Sequence, residues 1–185
     1  MTSNELHRTV FQKGSRTYFT SSLFFPERVR REVSVLYSFV RVADDFVDAT
    51  PQDRAGFEAF RQRYSASLHG KNTPDPVVDD FVRLMHEKQF EPAWVDAFLS
   101  SMEADFSIRE YDTVEDVLRY IYGSAEVIGL FMARILDLPR DSHPYAQMLG
   151  RAMQYINFIR DIDEDARLGR RYLPFLGIGL DSLDR

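Results

Sequence analysis

No cysteine occurs in the 185 residues, which excludes disulfide staples, thiolate nucleophiles and cysteine-based zinc ribbons. Long apolar runs are missing too. None approaches the roughly 20 residues needed to span a bilayer, and the first residues, MTSNELHRTVFQKGSRTY, lack the apolar core of a signal peptide. The four histidines (His7, His69, His86, His143) stand apart, so neither a zinc-protease helix nor a serine-histidine-aspartate arrangement can be assembled from spacing. Gly70-Lys71-Asn72-Thr73 lacks the glycine frame of a phosphate loop, and no glycine-rich dinucleotide fingerprint is present. Basic residues are outnumbered, 23 to 29, and the net charge of -6 argues against nucleic acid as a partner, because such a surface must displace counterions from phosphates. The expectation is a cytoplasmic protein, with peripheral membrane contact allowed and an anionic small molecule bound through local cations.

What is abundant is aromatic and helix-forming. Fifteen Phe and nine Tyr are a heavy load that should line a core or a cavity. From Pro26 to Asp48 the residues Val29, Val33, Leu36, Tyr37, Val40 and Val47 recur at three- and four-residue steps, the period of a helix. Pro51 fits the first turn of a second helix reaching Leu68, and shorter helices follow at 77–88 and 92–106. After a break at Glu110-Tyr111, Thr113 with Asp116 three positions on marks the start of a long apolar helix ending near Leu138. Gly123 and Gly129 inside it each cost about 1 kcal/mol relative to Ala, which suggests close packing or room for a ligand. A last helix should run from Pro144 to about Ala166, stopping at Leu168-Gly169. No strand competes, so residues 1–185 are expected to form one all-α domain.

Two acidic clusters stand out, Asp44 to Asp48 and Asp161 to Asp165, each placing aspartates four apart on one helix face. Like charges at that spacing destabilise a helix by a few tenths of a kcal/mol, so their repetition implies a balancing cation. Aspartates without His or Cys suit magnesium, with manganese as an alternative, better than zinc. One such cluster alone is commonly a solvated helix end; two with the same spacing point to a site. Tyr37 and Arg41 precede the first cluster on nearly the same face. Gln154 and Asn157 precede the second, so that Asn157, Asp161 and Asp165 form a four-residue ladder. Arg160, Arg167, Arg170 and Arg171 add positive charge beside it, for a diphosphate or for ion pairs with neighbouring acids.

The residues Gly14-Ser15-Arg16-Thr17-Tyr18, Leu36 through Arg41 into Asp44 to Asp48, Tyr120 through Ala125, Gln154 through Asp165, and Arg170-Arg171-Tyr172-Leu173-Pro174 together resemble the squalene/phytoene synthase family. The order and spacing agree throughout. The resemblance implies an all-α isoprenoid synthase bundle around a deep apolar cavity, with the two aspartate motifs facing each other at its mouth. It further implies that Asp44, Asp48, Asn157, Asp161 and Asp165 hold magnesium ions against the substrate diphosphate. Ser15, Arg16, Arg41, Arg160 and Tyr172 would sit near diphosphate oxygens, and Tyr18, Tyr37, Tyr120 and Gln154 would line the cavity; ordinary core packing is the preferred reading for Phe24 and Phe158. Tyr37 and Arg41 join the four aspartates as catalytic candidates.

The implied reaction is head-to-head condensation of two prenyl diphosphates. Gly123 through Gly129 looks more like enzymes that join two geranylgeranyl diphosphates into phytoene; farnesyl diphosphate giving squalene or dehydrosqualene is the alternative. A non-catalytic assembly protein on the same fold and a single-substrate terpene cyclase are the competing classes. Family members usually continue through further helices beyond the point where this chain stops. The expectation is therefore a C-terminally short bundle with uncovered apolar helix faces that invite self-association.

Overall fold

The computed structural model describes residues 2–174. α1 (Ser3–Gly14) and α2 (Arg16–Ser22) meet at Ser15, which caps α2 by accepting from the Tyr18 amide. α3 (Glu27–Asp48) is the longest described helix, and α4 (Arg54–Leu68), α5 (Pro76–Lys88) and α6 (Pro92–Ala104) pack against it. The helix ends follow side-chain chemistry: Asp53, Asp75 and Thr113 accept the orphan amides of the first turns of their helices. Pro51 thus lies before α4 rather than in its first turn, because Asp53 takes the cap. Pro76 does occupy the first turn of α5.

The helix expected over 113–138 is continuous in direction but not in winding. It comprises α7 (Val114–Ile121), a π-helical turn (Tyr122–Glu126) and α8 (Val127–Ile135). Both interior glycines mark close approach: a Cβ on Gly123 would stand 2.3 Å from the Ala97 carbonyl oxygen, and one on Gly129 would stand 2.2 Å from that of Ala146. α9 (His143–Arg160) packs on the π turn and α8. It ends at Asp161, and the short α10 (Ile162–Arg167) follows, so the predicted last helix is broken in the middle of the acidic ladder.

Most of the phenylalanine load builds a solid core. Phe39 stacks on Phe81 with centroids 3.7 Å apart, and Phe57, Phe60, Phe98 and Phe131 are likewise buried among α3, α4, α5, α6 and α8. Burying each such ring is worth on the order of 1.5–3 kcal/mol, so this core holds the bundle without help from the site. A second, smaller cluster that includes Tyr111, Tyr120, Ile121 and Phe158, with half-buried Tyr155 and Tyr172 against it, lies under the acidic residues. Phe24, expected in the core, is instead 90% exposed at the α2–α3 turn. Among the described residues, no helix is long and apolar enough to cross a membrane.

Candidate active site

α3 delivers Asp44 and Asp48 to one end of the bundle, and the end of α9 with α10 delivers Gln154, Asn157, Arg160, Asp161 and Asp165 opposite them. These residues wall one cavity of about 280 Å³, together with Tyr120, Ser124, Phe158, Arg170 and Tyr172. The break at Asp161 does not scatter the ladder, because the Asp165 amide still donates to the Asp161 carbonyl at 2.8 Å. Asn157 Nδ2 donates to Gln154 Oε1 at 3.3 Å, which orients both amides on the wall. Arg160 clasps Asp161 with two hydrogen bonds of 2.7 and 2.6 Å. Phe158, assigned to packing, is buried and stacked 4.7 Å from Tyr172, yet it also forms part of the wall.

One residue of the site escaped the sequence reading, and a second was named there without a distinct role. Asp105, just beyond α6, is buried between Tyr120 and Tyr172, whose hydroxyls donate to its two carboxylate oxygens at 2.8 and 3.1 Å. Neither a periodic partner nor a flanking motif announces it. Arg170, weighed only as one of several arginines, reaches over α3: its Nη2 donates to the Val47 carbonyl at 3.0 Å and its Nη1 lies 3.5 Å from Asp48. The segment carrying Arg170 and Tyr172 is pinned by a backbone bridge, in which the Arg171 amide donates to the Arg109 carbonyl at 2.7 Å and the Tyr111 amide to the Arg171 carbonyl at 3.2 Å.

The electrostatics are those of a site short of positive charge. Burial first, then Asp48, pushes the Asp44 carboxyl up to about 7, with Arg41 opposing. Burial likewise raises Asp105 to about 6, although the two tyrosine hydroxyls and Arg170 pull it down. Tyr120 and Tyr172 are both raised, chiefly by burial and by Asp105. Arg170 Nε and Ser124 Oγ are buried without a hydrogen-bond partner. A buried donor left unmade costs about 1–3 kcal/mol, and both atoms belong to wall residues where an anionic oxygen could satisfy them.

The other candidates lie beside this cavity rather than on its wall. Tyr37 stacks 4.3 Å from Phe11, fixing α1 on α3, and Arg41 pairs with Asp45 at 2.5 Å rather than with Asp44 or Asp48. Arg41 still acts on Asp44 through its field, and Tyr37 feels Arg41, Asp44 and Tyr18. Ser15 is engaged as a helix cap, while Arg16 and Tyr18 are exposed. The deep apolar cavity expected between the motifs is not enclosed by the described residues. Between the motifs the space is polar, and a separate cavity of about 420 Å³, lined in part by Ala97, Ala104, Ile108 and Tyr111, shares Tyr120 with it. The apolar surface is instead on the outer flank of α9, where Tyr145, Met148, Leu149, Ile156 and Ile159 are exposed because no described element packs there.

Among the described residues, no three acidic side chains converge as a ready-made metal cage. Magnesium does not require one: it takes one or two carboxylates and completes its octahedron with waters and substrate phosphate oxygens. Carboxylates from α3 and from α9–α10 on one cavity wall, beside the neutral amide of Asn157, fit metal ions held together with an anionic substrate.

Known proteins share both the sequence pattern and the fold. The family model described as squalene/phytoene synthase matches residues 11–175. A 15-cis-phytoene synthase from Paracoccus sp. is 31% identical over 172 residues, covering 88% of this chain and 57% of the relative. One from Enterobacter agglomerans is 32% identical over 184 residues, covering 93% and 62%. The chain thus spans about three-fifths of the length of these relatives. The crystal structure of a dehydrosqualene synthase superposes with a TM-score of 0.86 at 26% identity, over 93% of this chain and 61% of that one. With the family model covering nearly the whole chain and the fold shared with a solved synthase, this chain belongs to the squalene/phytoene synthase family.

Proposed function

We propose that the site couples two prenyl diphosphates head to head, with two geranylgeranyl diphosphates giving 15-cis-phytoene. The observation that carries this reading is the pair of aspartate ladders, Asp44/Asp48 and Asp161/Asp165 with Asn157, facing each other across one cavity beside unsatisfied donors. The names of the relatives over most of the chain support the substrate choice. In this reading Asp44, Asp48, Asn157, Asp161 and Asp165 hold magnesium, which when bound neutralises the diphosphate leaving group as a Lewis acid. Arg170 Nε and Ser124 Oγ donate to diphosphate oxygens, and Arg160 exchanges Asp161 for the substrate. Ser15, Arg16 and Arg41 approach from the α1–α3 side.

Cleavage of the allylic C1–O bond of one molecule releases diphosphate and leaves an allylic cation. The double bond of the second molecule attacks it, and loss of a proton closes a cyclopropane that still carries one diphosphate. Loss of that diphosphate, rearrangement and loss of a second proton give the C40 hydrocarbon with a conjugated triene at its centre. The rings of buried Tyr120 and Phe158 and of half-buried Tyr172 offer π faces to a passing cation, as they would to an ammonium. Farnesyl diphosphate giving dehydrosqualene is a second reading, favoured by the structural match to a dehydrosqualene synthase.

Incubating the purified chain with geranylgeranyl diphosphate, with magnesium and then with chelator, and identifying the apolar product by mass spectrometry tests the proposal. Magnesium-dependent phytoene is expected. A folded chain that makes no C40 product overturns the activity, and a C30 product from farnesyl diphosphate alone transfers it to the second reading.

Two contacts accompany this function. The exposed Leu23 and Phe24 tip, on a segment that also carries Arg8, Lys13, Arg16 and Arg30 while Arg28 and Arg31 are paired with acids, suits peripheral docking on an anionic lipid surface. The apolar flank of α9 suits a second copy of this chain.

A further inference from the structure

Glu126, at the end of the π turn, is only 2% exposed and lies outside the walls of the cavity. Its carboxylate accepts from Arg151 Nε at 2.6 Å and from Gln147 Nε2 at 3.4 Å, both on α9. A buried ion pair is a poor source of stability, since desolvation consumes much of the Coulombic gain; its better-attested use is to fix register. Here register is what the geometry needs. Of the 18 residues of α9, Phe158 alone is buried, so the helix is held from one side only. On that side the backbones touch: a Cβ on Gly150 would stand 2.4 Å from the Ala125 carbonyl oxygen, and one on Gly129 would meet that of Ala146.

Glycine contacts set how closely α9 approaches, but they present no directional group to stop it sliding or tilting. The Glu126–Arg151 pair supplies that direction at the same point. From Arg151 to Asp161 the helix runs about 15 Å, so a tilt of about 4° at the pair displaces Asp161 by about 1 Å. A misplacement of that size can cost about a hundredfold in rate.

We infer that Glu126 is a positioning residue: by anchoring Arg151 it sets the tilt of α9 and hence the span between the two aspartate ladders. The inference rests on the proposed diphosphate chemistry of that site and adds a residue that touches neither metal nor substrate. Its signature is a changed magnesium requirement in a chain that remains folded.

The test titrates magnesium against inorganic diphosphate by calorimetry for the wild type, Asp161→Asn, Glu126→Gln, Arg151→Gln and the double variant Glu126→Gln/Arg151→Gln, with helicity followed by circular dichroism. The wild type should bind, and Asp161→Asn should lose binding. Each single variant of the pair should raise the half-saturating magnesium concentration about tenfold, and the double variant should raise it no further. If Glu126→Gln loses its helical signal, Arg151→Gln decides by the same criterion, since that side chain is 44% exposed. Folded pair variants with the wild-type magnesium requirement overturn the inference and leave the site reading intact. A wild type that takes up no diphosphate overturns both.

Discussion

Asp44 and Asp105 set the behaviour of the metal-free protein. An aspartate in the unfolded chain titrates near 3.9, whereas burial pushes these two up to about 7 and about 6 in the folded state. Between those limits the folded state binds more protons than the unfolded state, so stability falls as pH rises from about 4 through 7. Chelator-treated protein should therefore melt at a lower temperature at pH 8 than at pH 5. Asp105→Asn should flatten the slope and stabilise the metal-free chain at pH 8 by about 1 kcal/mol, since it removes a charge that burial penalises. Thermal melts at several pH values in chelator check both; a melting temperature that rises from pH 5 to 8 would contradict them. The same variant should weaken magnesium-diphosphate binding if the carboxylate helps hold Arg170 and the tyrosines in place.

At the scale of elements, the prediction concerns the crossing of α9 over the π turn. Gly150→Ala places a methyl 2.4 Å from a backbone oxygen that cannot rotate away. Overpacking of this kind costs about 1–3 kcal/mol. A lowered denaturant midpoint is the expected result, and an unchanged one would show that α9 sits farther out. Sequence periodicity revealed α3 and its ladder because one face of a long helix carries both the core residues and the aspartates. It also flagged Gly123 and Gly129. It could not reveal the π turn, because α8 beyond it is apolar nearly all round and a one-residue shift of phase leaves no mark, nor the break at Asp161, where Asn157, Asp161 and Asp165 keep a spacing of four in sequence. Asp105 was invisible for a different reason. Its partners are Tyr120 and Tyr172, 15 and 67 residues away, and only packing brings them together.

For the molecule as a whole, the described surface carries two apolar features in separate places. Sedimentation velocity should show mass increasing above the monomer with concentration, and Leu149→Lys on the α9 flank should reverse it. Co-sedimentation with vesicles rich in anionic lipid should fall when Phe24→Ser removes the 90% exposed ring, whereas Leu149→Lys should leave it unchanged. A single monomeric species and equal vesicle binding by both variants would reject these surfaces. The all-α class and the family were legible because five motifs recur in order along most of the chain. The enclosing of an apolar cavity was not legible, because it depends on what covers the outer side of α9.

The bridge between residues 109–111 and 171 has a consequence for how the protein fails. Arg170 and Tyr172 reach the site through a strap whose backbone is tied to residues 109–111 by two hydrogen bonds and an ion pair between Arg171 and Glu110. It otherwise holds by the bonds of Arg170 to α3 and of Tyr172 to Asp105 and by the stacking of Tyr172 on Phe158. The phenylalanine core lies elsewhere, and segments with few buried contacts open at lower free energy than the core. Under mild denaturant, ligand affinity should therefore fade while the far-ultraviolet spectrum is still native. A preparation judged folded by its helicity could contain molecules whose anion-binding end has already come undone.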